Sequence, residues 1–254
     1  LPSKNLFIYI IMKKLFTFLA LSVLVAVGAY AQWTKPAAPA SVPLQTGETL
    51  YLYNSDADAF FLGANDWETR ASVSPTKGYQ VCIEKYDLDD ISYYLSSVVE
   101  NKENKVLYTF IDGLDNIWVD QTKESEHDKL YTFEDQGDGT YRIGMSPANR
   151  VYIPATYPGA YLGVIPEMAD TRLYFCDSMK YNLPTFHPEN YQTTWYFVAP
   201  ENYQTYVTAK KNYLAAVALK SAIDKALAEN EGINISAIEA VYNNPASTAA
   251  ELDK

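Results

Sequence analysis

The feature that most constrains this chain is a threefold recurrence of short apolar runs between Leu50 and Pro200, each bounded by turn residues. First strands read at "LYLYN" (Leu50–Asn54), "VLYTF" (Val106–Phe110) and "VYIPA" (Val151–Ala155). Each is followed by a turn rich in Asp, Gly, Asn or Pro: "SDAD", "IDGLDN" and "TYPG". Second strands follow as "AFFLGA", "IWVDQ" and "AYLGV", and third strands as "TRASVS", "KLYTFE" and "TRLYFCD". Fourth strands are "YQVCIEKY", "TYRIGMS" and "TTWYFVA". Copies one and three match best: "FFLGA" aligns with "AYLGV", and Thr69-Arg70 falls where Thr171-Arg172 falls. The copies are spaced by 56 and 45 residues, the longer step being read as an insertion at Asp87–Asn104. Apolar residues alternate or cluster over a few positions, without a sustained helical period.

Three copies of four strands specify a mainly-β chain, a β-trefoil: six strands closing a short barrel and six forming three capping hairpins. One copy cannot bury its own apolar face, and closing the ring removes the exposed strand edges. An immunoglobulin-like sandwich is the rival all-β reading, and the threefold correspondence speaks against it. On "LYLYN…FFLGANDWETRAS" and "TTWYFVAPENY", the segment Leu50–Pro200 resembles the ricin-type trefoil domains of secreted, multidomain proteins of Gram-negative gut-type bacteria. The resemblance implies a binding module with a helical spacer behind it. It departs from ricin-type lectins at two points. Those carry Gln-x-Trp in the last strand of each copy, whereas here only the third copy has a Trp, in Thr193-Thr194-Trp195, which assigns Trp195 to barrel packing. Nor does any copy carry the full pair of Asp and aromatic platform used for sugar.

The flanks divide as follows. Residues 1–11 read as an upstream extension and residues 12–31, "MKKLFTFLALSVLVAVGAYA", as a secretory signal with Ala29-Tyr30-Ala31 as its cleavage site. Its apolar run, Leu15–Val27, falls short of the ~20 residues that span a bilayer. A Pro/Ala-rich linker (32–48) leads to the trefoil (49–204), and a helical hairpin segment (205–254) follows. There Val207–Asn230 carries an apolar stripe of Ala216, Leu219, Ile223 and Leu227, and Ser236/Glu239 and Thr248/Glu251 have capping-box spacing. The chain stops within the last of these helices, so the segment reads as truncated, the front part of a longer protein.

Charge and motifs narrow the function. Beyond Ala31 there are 17 basic and 31 acidic residues, which argues against nucleic acid as partner because phosphate binding needs a basic footprint. No membrane insertion is expected after signal cleavage. There is no P-loop, Gly-x-Gly-x-x-Gly or Gly-x-Ser-x-Gly motif, and His127 and His187 stand apart from any zinc-type spacing. Asp56/Asp58 and Asp135/Asp138 have oxygen-ligand spacing without a calcium loop, and Asp138-Gly139 reads as a hairpin tip. Neither metal nor cofactor is expected. The two cysteines, Cys82 and Cys176, are either bridged or separately buried. The candidate ligand-binding residues are Asn65, Asp66 and Trp67. In one reading the Asn-Asp pair makes a turn and Trp67 folds over the barrel's open end; in the other, Trp67 stacks on a sugar ring while Asp66 accepts its hydroxyls. The expectation is a non-catalytic, exported binding or adhesion module for glycans or a cell-surface polymer. The alternative is the accessory front end of a secreted hydrolase.

Overall fold

The computed structural model describes residues 33–65, 69–98, 103–109, 117–124, 129–149, 161–176, 188–230 and 232–254. The signal-type segment (12–31), "VYIPA", His127 and His187 lie outside them. Twelve strands are formed: β1 (Thr49–Asn54), β2 (Ala59–Asn65), β3 (Arg70–Ser74), β4 (Gln80–Lys85), β5 (Tyr93–Ser97), β6 (Lys105–Thr109), β7 (Ile117–Gln121), β8 (Leu130–Asp135), β9 (Tyr141–Met145), β10 (Tyr161–Gly163), β11 (Tyr174–Cys176) and β12 (Trp195–Val198). Antiparallel pairs β1–β4, β4–β5, β5–β8, β8–β9, β9–β12 and β12–β1 close a six-stranded ring. Pairs β2–β3, β6–β7 and β10–β11 make three hairpins on it. That is the pairing scheme of a β-trefoil.

Register shows the threefold repeat residue by residue. Tyr53 faces Phe60 and Tyr196, Ser96 faces Val106 and Cys82, and Gly144 faces Tyr161 and Thr132. The copies therefore start at Thr49, Tyr93 and Tyr141, in steps of 44 and 48 residues. This corrects the assignment in the second copy. "SYYLSS", read as an insertion, holds β5, its first strand; "VLYTF", "IWVDQ" and "KLYTFE" are its second, third and fourth. "TYRIGMS" opens the third copy rather than closing the second. The match of "FFLGA" with "AYLGV" is also one residue out of step, since Phe61 and Leu162 are the equivalent inward residues. In a pleated strand that slip exchanges the two faces.

Inward residues alternate along each barrel strand: Leu50 and Leu52, Val81 and Ile83, Trp195 and Phe197 belong to one core with the hairpin residues Phe61, Leu107 and Leu162. The outward residues of copy one are apolar too, because a helix covers them. α1 (Pro200–Glu229) starts with Pro at its first position, where a missing N–H costs nothing. Its opening residues Tyr203, Tyr206 and Val207 pack on Tyr51, Tyr53, Phe60, Tyr196 and Val198. Burial on both sides explains why "LYLYN", "AFF" and "WYFV" show no polar alternation.

The chain divides into two compact units. One, residues 37–210, holds the trefoil and the start of α1. It also holds part of the Pro/Ala-rich stretch: Val42 bridges Phe197, and the Pro39 carbonyl accepts the Tyr196 hydroxyl at 2.9 Å. Among the described residues, the other takes in residues 33–36 and those from 211 onward, and contains the rest of α1, α2 (Ser236–Tyr242) and α3 (Ala249–Leu252). Ala215, Ala216 and Leu252 are buried there, with Leu219, Val241, Tyr242 and Trp33 against them. The stripe holds only in part: Ala216 and Ile223 are buried and Leu219 is half-buried, whereas Leu227 is exposed. The Thr248/Glu251 capping box forms, with Thr248 N–H donating to Glu251 Oε2 at 2.8 Å. The Ser236/Glu239 box does not. Asn234 Oδ1 holds that turn instead, accepting from Ser236 N–H at 3.1 Å and from the Ser236 hydroxyl at 2.8 Å. No helix among the described residues is long and apolar enough to cross a membrane.

Candidate functional site

The hairpins meet at the cap of the barrel, and backbone hydrogen bonds tie them together there. Val73 N–H donates to Thr171 C=O at 2.8 Å, Val119 N–H to Thr69 C=O at 2.7 Å, and Leu173 N–H to Ala71 C=O at 3.0 Å. Val73 and Val119 are equivalent in the repeat, as are their acceptors Thr171 and Thr69. The next residues, Arg70 and Arg172, are consequently equivalent as well. The Thr-Arg correspondence of copies one and three is thus a correspondence in space.

Around these arginines the cap carries an aromatic and polar cluster. Arg70 pairs with Asn65 across β2–β3 and with Trp118 across β3–β7, and its guanidinium lies 4.9 Å from the centre of the Trp118 ring. Such stacking positions a cation over the negative face of the indole. Arg172 bridges Ser72, and its Nε lies 3.9 Å from Asp170 Oδ2. The Tyr174 hydroxyl donates to the same Asp170 oxygen at 2.9 Å. Burial and that hydrogen bond push Tyr174 up to about 12, while the charges of Arg172 and Arg70 pull the other way. Both guanidinium groups therefore act on one hydroxyl. Arg172 and Asp170 are about a third exposed, at 35% and 32% of their side-chain surface.

Of the residues expected from sequence, Asn65 is the last of β2, directly opposite Arg70. Asp66 and Trp67 lie outside the described residues, in the segment joining β2 to β3. Arg70, Trp118, Asp170, Arg172 and Tyr174 were missed, although Thr69-Arg70 and Thr171-Arg172 were the visible signal for two of them. Trp195 packs as expected: it is fully buried and donates its indole N–H to Leu162 C=O at 2.7 Å.

The aspartates with calcium-like spacing are turn residues. Asp138 Oδ1 accepts Thr140 N–H at 3.0 Å and Asp135 Oδ1 accepts Gly137 N–H at 2.7 Å, with Gly137 and Gly139 at φ 83° and 86° in the β8–β9 tip. Asp56 accepts Thr194 N–H at 2.9 Å. Asp58, at φ 52°, accepts the Tyr53 hydroxyl at 2.6 Å, the Tyr206 hydroxyl and the Lys210 ammonium. This cluster ties the β1–β2 turn to α1. Burial and the hydrogen bonds to Asp58 raise both tyrosines well above the ordinary phenol range. Among the described residues no group of three His, Cys, Asp or Glu side chains could hold a metal ion. Cys82 on β4 and Cys176 on β11 are separate buried thiols. Away from the cap, the β4–β5 loop (Lys85–Asp90) lines a hollow of about 330 Å³. Asp89 pins that loop through Ser92 N–H, at 2.6 Å, and the Ser92 hydroxyl, also at 2.6 Å.

No family model matches the chain, and no curated protein matches it. Among solved structures it is similar to the Macrolepiota procera ricin B-like lectin in complex with lactose, at 12% identity and TM-score 0.43, over 63% of this chain and 100% of that one. It is also similar to the designed threefold-symmetric protein ThreeFoil, at 16% identity and TM-score 0.37, over 59% of this chain and 97% of that one. A third is the Kunitz-type cysteine protease inhibitor PCPI-3 from potato, at 10% identity and TM-score 0.42, over 66% of this chain and 98% of that one. The trefoil assignment rests on the strand pairing above.

Proposed function

We propose that the chain is a non-catalytic, exported carbohydrate-binding module that presents its hairpin cap to a glycan. The observation that supports this is the chemistry gathered there. An indole ring, two guanidinium groups, a carboxylate and a buried phenol occupy adjacent positions on the cap, with the Arg172 and Asp170 side chains about a third exposed. A pyranose offers an apolar C–H face and a rim of hydroxyls, and aromatic faces with planar donors and acceptors are what hold such a ring. Asp66 and Trp67, four and three residues before Arg70 in the sequence, supply a further carboxylate and indole along the chain. Export is the reading of residues 12–31.

A glycan array probed with the full chain tests the proposal. Binding to a defined set of glycans is expected, and Trp67→Ala and Trp118→Ala should each weaken it by about tenfold or more. An array left blank by the folded chain, or a signal that both variants keep, contradicts it.

A further inference from the structure

We propose that the β4–β5 loop, at the barrel end away from the hairpins, is a docking site for a partner protein, which it meets through a basic, apolar segment of that partner. Among the described residues of the trefoil unit, the exposed large aliphatic side chains are Leu88 at 80% and Ile91 at 56%. Both stand on this one loop. The repeat supplies an internal comparison. Lys85 faces Tyr93 where β4 turns into β5, and Asp135 faces Tyr141 at the equivalent point where β8 turns into β9. The β8–β9 connection closes with residues 136–140, Gln-Gly-Asp-Gly-Thr, with both glycines at positive φ. The β4–β5 connection takes residues 86–92, seven in place of five, and sets a leucine and an isoleucine in water. The fold therefore requires neither the added length nor the aliphatic side chains. Exposed apolar side chains gathered in one place and rimmed by polar groups mark an interaction surface.

The loop is also held in shape before any partner arrives. Tyr86 N–H donates to Ser92 C=O at 2.8 Å and closes it. Asp89 Oδ1 accepts Ile91 N–H at 3.0 Å and Ser92 N–H at 2.6 Å, while its Oδ2 accepts the Ser92 hydroxyl. Buried Ser92 is hydrogen-bonded in turn to the Ser146 hydroxyl just past β9. Little chain freedom is then lost on binding. The hollow of about 330 Å³ along the loop gives an incoming side chain room.

Charge selects the occupant. Asp87 and Asp90 flank Leu88 and Ile91 and are exposed, Asp90 at 95% of its side chain. Lys85, the one cation in the loop, pairs with Asp90 at 2.7 Å. A partner that covers the two aliphatic side chains must therefore bring lysine or arginine to the acidic rim. A second copy of this chain, at net charge −11, or an anionic bilayer would meet like charge there.

The experiment selects a phage-displayed library of random dodecapeptides on the full chain and titrates the most enriched peptide, synthesised free, by calorimetry. Enriched sequences should combine Lys or Arg with aliphatic or aromatic residues. Leu88→Ser and Ile91→Ser should each weaken that peptide about tenfold or more at unchanged thermal midpoint. Asp87→Asn with Asp90→Asn should weaken it about threefold and flatten its salt dependence. Binding that survives both serine substitutions, enrichment of acidic peptides, or no enrichment over the bare support overturns the inference. So does self-association in sedimentation, or flotation with phosphatidylglycerol vesicles, that either serine substitution abolishes, since the loop would then serve a second copy or a lipid surface. None of these outcomes bears on glycan binding at the cap.

Discussion

Lys210 of α1 and Asp58 of the β1–β2 turn form an ion pair across 152 positions of sequence, with the Lys210 side chain only 5% exposed. Tyr53 and Tyr206 complete the cluster by donating to the other Asp58 oxygen. Removing one partner strands the other charge in a largely dry site. Asp58→Asn keeps the shape and tolerates the left-handed backbone, so it isolates the loss of charge. It should cost about 3 kcal/mol in urea unfolding, and the double change Asp58→Asn with Lys210→Met should recover most of that. A single-variant loss below about 0.5 kcal/mol would mean the pair is solvent-screened.

Gly163 lies where no side chain fits. A Cβ there would sit 2.5 Å from the Gln192 carbonyl oxygen and 2.8 Å from Thr193 Cγ2. Gly163→Ala should therefore destabilise by about 2 kcal/mol or more, seen as a lower thermal midpoint. A neutral result would show that Gln192 and Thr193 can move aside.

Trp195→Phe removes the indole N–H from the buried Leu162 carbonyl and leaves a void in the barrel. The expected loss is about 2–4 kcal/mol by chemical denaturation. A loss under about 1 kcal/mol would contradict the role of Trp195 as a packed core residue.

Burial pushes Tyr174 and Tyr196 up to about 12, from an ordinary value near 10. A raised value for a phenol favours the neutral form in the folded chain. The associated stability is full below about pH 10 and declines as pH rises towards 12. Absorbance titration at alkaline pH should show a set of tyrosines ionising late and together with unfolding. Smooth titration of every tyrosine near 10 in the folded chain would contradict this.

Burial likewise raises both thiols, Cys176 most. A thiol reagent at neutral pH should find both unreactive in the native chain and both reactive in guanidinium. Rapid modification of the native chain would contradict their placement.

Much of this fold was legible. Twelve strands, threefold recurrence and turn chemistry such as Asp138-Gly139 are local signals, and they led to the right architecture. The second copy slipped by one strand because "VLYTF", "IWVDQ" and "KLYTFE" are all strand-like, so nothing local ranks them. "SYYLSS" was passed over because Ser neighbours mask the inward pair Tyr93 and Leu95. The helical segment was placed from residue 205, although "PEN", a Pro at the first helical position followed by an acid, marks the start of α1 at Pro200. The Asp58 latch had no local signal, since its helix partners lie some 150 positions away. In the cap, repetition exposed Arg70 and Arg172, but Trp118 joins them only through β3–β7 pairing.

The most direct test of the central claim, that the hairpin cap is the binding face of this trefoil, is amide chemical-shift mapping during titration with the best array glycan. The account predicts that shifts concentrate in Asn65–Ser72, Ile117–Val119 and Asp170–Tyr174. Shifts centred on Lys85–Ile91 in the β4–β5 loop, with the cap unmoved, would contradict it.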